Sequence, residues 1–193
     1  MGQSGEKWDL DQVSATGAEW TASDGEAGDA QLLGRKVTEM FLGTYLHALD
    51  AKGRVAIPAR YRDVLSQEKE PGLILTIHSG DAGQCVVVYP RAPFFRLAEK
   101  LVTDGPMDPR LERYARAILP TATEVAPDRQ GRVLLPATLR DLVGIQREVV
   151  WVGMFNRMEI WDRDRWDASH KADLSEVGSL NKLYVELLGK GRE

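Results

Sequence analysis

Cysteine is nearly absent: Cys85 is the only one in 193 residues. A single thiol closes no intrachain disulfide, and no second Cys or His stands at metal-ligand spacing from it. It therefore reads as a small core residue on a strand. Long apolar runs are missing as well. The longest, Glu148 to Phe155 and Leu73 to Ile77, fall far below the ~18 residues that cross a bilayer, so no transmembrane helix and no membrane partner are expected. The amino terminus, Met1-Gly-Gln-Ser-Gly-Glu-Lys-Trp-Asp9, lacks the basic start and apolar stretch of a secretory signal, and a cytoplasmic protein is expected.

Histidine is scarce too. His47, His78 and His170 show no paired metal spacing. Ser79, His78 and Asp81 crowd one loop, which is a poor way to aim a nucleophile, a base and an orienting acid from separate supports. The glycines do not form a phosphate-cradling loop of the Walker or dinucleotide type. No enzyme and no cofactor are expected.

An excess of positive charge is the last thing missing. The formal net charge is −4, whereas affinity for phosphates comes largely from Lys and Arg. The charge is unevenly placed, however. Residues 1–39 hold three basic against eight acidic residues, and the chain from Met40 onward holds twenty-two basic against twenty-one acidic. A neutral body can bind DNA through a local patch.

Residues 1–39 are rich in Gly, Ser, Ala and acids without a sustained period, and are expected to form a disordered acidic extension. At Met40 the character changes to the β-prone run Phe41-Leu-Gly-Thr-Tyr-Leu-His-Ala-Leu49. Behind it lies a repeat. Leu49-Asp-Ala-Lys-Gly-Arg-Val-Ala-Ile-Pro-Ala-Arg-Tyr-Arg-Asp-Val-Leu65 returns as Pro127-Asp-Arg-Gln-Gly-Arg-Val-Leu-Leu-Pro-Ala-Thr-Leu-Arg-Asp-Leu-Val143, with eight identities in 17 positions at an offset of 78. Later, Tyr89 pairs with Trp161 and Phe94 with Trp166 at an offset of 72, as if one loop were six residues shorter. The chain from Met40 is a tandem duplication.

Each half reads as a strand, an Asp-x-x-Gly turn, a short strand Arg-Val-x-Ile/Leu, a proline opening a short helix, a hairpin and a second helix. Gly53 and Gly131 suit positive φ, and Asp50 and Asp128 can accept hydrogen bonds from turn amides. The hairpins are expected over Leu73–Ile77 with Gln84–Tyr89, and over Glu148–Gly153 with Arg157–Trp161. Helices are expected over Pro93–Leu101, over Arg163–Lys171, from an Asp108-Pro109 cap to Leu119, and over Ser179–Leu188, which carries an apolar face that packs on the core or on another subunit. The expected organisation is a 1–39 extension, a 40–103 first half, a 104–121 linker helix, a 122–171 second half and a 172–193 C-terminal helix.

The repeated Asp-x-x-x-Arg admits two readings. Asp50 with Arg54, and Asp128 with Arg132, can be pairs that hold a tight turn. Alternatively Arg54 and Arg132, with Lys52, Arg129 and Gln130 beside them, stand at the tips of turns that approach a DNA groove, where Arg pairs bidentately with guanine. Both hold if the Asp fixes the Arg that reads DNA.

Met40-Phe-Leu-Gly-Thr-Tyr45, Leu49-Asp-Ala-Lys-Gly-Arg-Val-Ala-Ile-Pro58 and Asp128-Arg-Gln-Gly-Arg-Val-Leu-Leu-Pro136 resemble the MraZ proteins of bacteria. The resemblance covers Met40 to about Lys171. It implies an α+β fold of two tandem SpoVT/AbrB-like swapped-hairpin halves forming a β-barrel-like core with short flanking helices. It also implies DNA binding through Asp50, Arg54, Asp128 and Arg132, and a ring-shaped homo-oligomer on direct repeats in the promoter of the division and cell-wall gene cluster. Nucleoid association follows from that role. The acidic extension departs from the family pattern. A protein-interaction module of antitoxin-like type is the competing reading. RNA binding would call for exposed aromatics, whereas Tyr45, Tyr61 and the Trp residues mostly sit at core-like positions.

Overall fold

A computed structural model describes residues 40–68, 72–80, 83–103 and 108–190. The acidic extension expected over 1–39, and Asp81 of the crowded loop, lie outside the described residues. The elements run β1 (Thr44–Ala48), β2 (Arg54–Ala56), α1 (Ala59–Leu65), β3 (Leu73–Gly80), β4 (Gly83–Pro90), α2 (Arg91–Thr103), α3 (Pro109–Ile118), a 3-10 turn (Leu119–Thr121), β5 (Thr123–Val125), β6 (Arg132–Leu134), α4 (Ala137–Val143), β7 (Glu148–Met154), β8 (Arg157–Asp162) and α5 (Arg163–Lys190).

The fold is α+β, built on one antiparallel six-stranded sheet in the order β1-β7-β8-β4-β3-β5 and a separate ribbon of β2 with β6. That order reads the same from either end when each strand is exchanged for its repeat counterpart. The halves are interleaved: β1 of the first pairs with β7 of the second, and β5 of the second pairs with β3 of the first. A pseudo-twofold axis passes through both layers. In the ribbon Val55 faces Val133, its counterpart at an offset of 78. In the sheet Val87 faces Glu159, its counterpart at 72. Ile74 faces Glu124 as Val150 faces Leu46, which puts β3 and β7 at an offset of 76. The six-residue shortening is therefore split, with two residues lost before β7 and four in its hairpin.

Among the described residues the barrel-like closure does not form: β1 and β5 each have one neighbour in the sheet, and β2 and β6 pair with each other. Each ribbon strand is three residues long and is followed within two residues by Pro58 or Pro136, which has no N–H to extend a ladder. Each proline caps its helix from the residue before the first turn instead, its carbonyl accepting from the N–H of Arg62 or Arg140 at 3.0 Å.

The alternation of the central strands loads both faces of the sheet. One face carries Val86, Val88, Val149, Trp151, Met158 and Ile160, covered by Val55, Ile57, Tyr61, Val133, Leu135 and Leu139 from the ribbon and the short helices. Tyr61 anchors this layer against Phe41, Tyr45 and Trp151, with ring centroids 5.6, 5.1 and 6.2 Å away. The opposite face carries Cys85, Val87, Val150, Val152 and Trp161. Burial raises the Cys85 thiol above its ordinary value, so it stays protonated as a core residue. Two repeat-related ring pairs cap this face: Tyr89 with Phe94 at 5.9 Å and Trp161 with Trp166 at 5.8 Å.

α3 begins where Asp108 Oδ1 accepts from the N–H of Arg110 at 2.8 Å. At the end of the chain, the two helices expected over Arg163–Lys171 and Ser179–Leu188 are one continuous 28-residue α5. Between them stand Ala172 to Gly178, with no proline and one glycine, too weak a break to stop a helix. No helix among the described residues is long and apolar enough to cross a membrane.

Candidate nucleic-acid interface

The two Asp-x-x-x-Arg segments form nearly identical turns. Asp50 Oδ1 accepts from the backbone N–H groups of Lys52 and Arg54, both at 2.9 Å. Asp128 Oδ1 accepts from those of Gln130 at 2.9 Å and Arg132 at 3.0 Å. The second carboxylate oxygen takes the arginine. Arg54 Nε donates to Asp50 Oδ2 at 2.8 Å, and Arg132 donates Nε and Nη2 to Asp128 Oδ2 at 2.9 and 2.8 Å. Each aspartate therefore shapes the turn with one oxygen and orients the arginine with the other.

Antiparallel pairing of the ribbon brings the turns together. Ile57 N–H donates to Gly131 O and Leu135 N–H to Gly53 O, each at 2.9 Å, so the ladder continues into the opposite turn. The ion pairs then cross the axis, with Arg54 Nη1 3.7 Å from Asp128 Oδ2 and Arg132 Nη1 3.5 Å from Asp50 Oδ2. The four side chains remain 27–31% exposed, enough for the guanidinium edges to meet a ligand. Backbone hydrogen bonding to Arg54 is the main cause that lowers the Asp50 carboxyl, and the Arg132 guanidinium leads in bringing Asp128 down to about 2. Both are ionised at neutral pH.

Lys52, Arg129 and Gln130 are exposed at the turn tips. All seven residues read from the sequence thus fall in one place. The structure adds Arg62 and Arg140, which cross between halves. A Cβ at Gly131 would stand 2.7 Å from Arg62 Cδ, and one at Gly53 would stand 3.1 Å from Arg140 Nη2. Arg140 Nε also donates to Leu135 O at 3.1 Å. The signal for both was present as an identity in the repeat, but the crossing of the halves is what brings them to the turns. Arg54 and Arg132 pair with the two turn carboxylates, Arg62 and Arg140 lie against the turn glycines, and Lys52 and Arg129 are carried on the turns themselves.

Of the residues weighed for catalysis, His78 and Ser79 are exposed on β3, His47 lies on the edge strand β1, and Asp81 lies outside the described residues. His170 stacks on Trp166 at 4.6 Å. Among the described residues no group of three or more His, Cys, Asp or Glu is placed to hold a metal.

Known proteins share this chain's pattern. The family model for the MraZ protein, described as antitoxin-like, matches residues 40–114 and 118–182, one block for each half. A protein of Frankia alni (strain DSM 45986 / CECT 9034 / ACN14a) named transcriptional regulator MraZ is 43% identical over 151 residues, 77% of this chain and 97% of the relative. One of the same name from Thioalkalivibrio sulfidiphilus (strain HL-EbGR7) is 42% identical over 127 residues, 66% of this chain and 83% of the relative. Another from Serratia proteamaculans (strain 568) is 38% identical over 150 residues, 77% of this chain and 97% of the relative. With both repeats matched and relatives covered almost end to end, this chain belongs to the MraZ family.

Proposed function

We propose that this protein is a sequence-specific DNA-binding transcriptional regulator, a repressor of the bacterial division and cell-wall gene cluster. It binds direct repeats in the promoter as a ring-shaped homo-oligomer in the nucleoid. The observation that carries the DNA-binding part is the pair of adjacent turns on which Arg54 and Arg132 are each held by their own aspartate. Pre-ordered guanidinium forks suit bidentate contact with guanine O6 and N7, while Lys52, Arg129 and Gln130 supply phosphate or further base contacts. One such patch on a nearly neutral body is weak, and repeating it around an oligomer raises avidity without stronger single contacts. The relatives' name, transcriptional regulator, supports the regulatory role. No enzymatic role is assigned.

The test is a titration of the full chain against its own promoter fragment and a scrambled duplex, with the Arg54→Ala, Arg132→Ala double variant alongside. Selective binding by the wild type that disappears in the variant is the expected result. A folded wild type that binds both duplexes alike sinks the reading and moves the protein to the class of interaction modules. An arginine that meets phosphate should, on removal, reduce the salt slope by about 0.9. One that meets a base should cost about 1–3 kcal/mol of discrimination.

A further inference from the structure

The two halves close the end of their short helix differently. α4 ends on Gly144 at φ +70, which turns the chain inward. Ile145 is therefore buried in the core, its N–H donating to Arg140 O at 2.9 Å. Leu49 packs against the same core. At the counterpart positions, 78 residues away, stand Ser66, Gln67 and Pro127. Ser66 stays helical at φ −65, and Gln67 and Pro127 are exposed. The space that Ile145 and Leu49 fill in one half is left open in the other.

A cavity of about 250 Å³ lies there, between the end of α1, the start of β3 and Pro127. Its apolar walls are Ile57, Leu65, Leu73 and Pro127, and among the described residues that line it Arg62 is the one cation and Glu68 the one acid. The volume is just under the roughly 300–1,000 Å³ of sites for drug-sized ligands, so its occupant is short. An apolar hollow beside a guanidinium suits a hydrocarbon body with one carboxylate, which arginine can take bidentately. Glu68 weighs against a head of higher charge, such as a phosphate ester.

Arg62 links the cavity to the second turn. It also lies against Gly131, and Pro127 leads directly into Asp128. We propose that this cavity binds a small apolar monocarboxylate, which pairs with Arg62 and so weakens the grip of the second turn on DNA. The carboxylate neutralises a cation beside the turn and draws its side chain off Gly131. By linkage, promoter DNA lowers the affinity for the carboxylate by the same factor. The effect on DNA rests on the proposed function, whereas the binding itself does not.

Calorimetric titration of the full chain with sodium hexanoate, octanoate and decanoate, and with octan-1-ol, tests it. One carboxylate is expected per chain, with affinity rising about fourfold for each methylene added until the cavity is full. Octan-1-ol should bind at least tenfold more weakly than octanoate, and Arg62→Gln should remove that preference. Copying the closed half, with Ser66→Gly, Gln67→Ile and Pro127→Leu together, should fill the cavity and abolish binding. If that triple variant misfolds, a diazirine analogue of octanoate crosslinked to the wild type replaces it, with adducts expected on Leu65 and Leu73. No binding by any of the three carboxylates, octan-1-ol binding as tightly as octanoate, binding that survives in the filled variant, or adducts elsewhere overturns the site. Saturating octanoate should weaken promoter binding at least threefold in the wild type and leave the filled variant unchanged. Carboxylate binding with promoter affinity unmoved overturns the coupling. A chain that takes octanoate at this site but binds promoter and scrambled duplex alike marks a failure of DNA reading, and the site stands without it.

Discussion

Arg62, from the helix of the first half, lies across Gly131 in the turn of the second, its Cδ 2.7 Å from the place a Cβ would occupy. Gly131 also has φ +71, a conformation that costs an L-residue about 1–2 kcal/mol. Gly131→Ala should therefore destabilise the protein by at least that amount in urea unfolding, because the arginine must shift as well. The same variant should weaken promoter binding by displacing both Arg62 and the Arg132 turn. Gly53→Ala should be milder, since Arg140 meets that site with the far end of its guanidinium.

Acid should undo the turns in a defined window. The Asp128 carboxyl lies at about 2 in the fold against an ordinary 3.8, and Asp50 is lowered in the same direction. A depressed folded value means the contribution is complete above 3.8 and is lost as pH falls toward 2. Carboxyl-carbon NMR titration should place both midpoints below the ordinary carboxylate value. From pH 5 to 9 neither group should titrate, so any change of DNA affinity there must come from elsewhere.

Arg132→Lys should separate charge from shape. Lysine keeps the cation but cannot reproduce the Nε and Nη2 hydrogen bonds to Asp128 Oδ2. Non-specific affinity for a scrambled duplex should change less than threefold, while preference for the promoter should fall about tenfold or more. Equal losses on both duplexes would mean that Arg132 meets only phosphate.

Tyr61→Phe removes one hydrogen bond from an otherwise unchanged core. The hydroxyl donates to Gly43 O at 2.7 Å, and that carbonyl also accepts from Gly153 N–H at 2.9 Å. No buried group is left unsatisfied, so the loss should be about 0.5–1.5 kcal/mol by chemical denaturation. Thr76→Val should cost a similar amount, about 0.5–1.5 kcal/mol, because Ile118 O still accepts from Thr121 Oγ1 at 2.8 Å. The buried Thr76 hydroxyl ties β3 to Ile118 O and Thr121 Oγ1 at 2.9 and 2.8 Å.

The turns are legible in the sequence because their determinants are local. Asp, Gly and Arg at spacings of three and one, followed by proline, specify a turn and a short strand with no help from the rest of the chain. The hairpins are legible for the same reason, to within a few residues. The pairing of β1 with β7, and the crossing of Arg62 and Arg140 onto the opposite glycines, depend on residues far apart in the chain, and no spacing announces them. α5 differs from its expected two pieces because Gly178 and the polar stretch around it look like a break. A Cβ there would meet nothing within 4 Å, so no neighbour requires the glycine.

The pseudo-twofold axis through Val55 and Val133 has a bearing on orientation. Two identical chains joined across such an axis must present identical reading heads, and what they read best is a palindrome. Here the two turns sit on one chain and differ, with Ala51 and Lys52 in one where Arg129 and Gln130 stand in the other. Under the proposed reading of DNA by these turns, the molecule would have a polarity along a duplex. Successive copies facing the same way would select sites written in one direction, which a strictly symmetric dimer has no means to tell from their reverse.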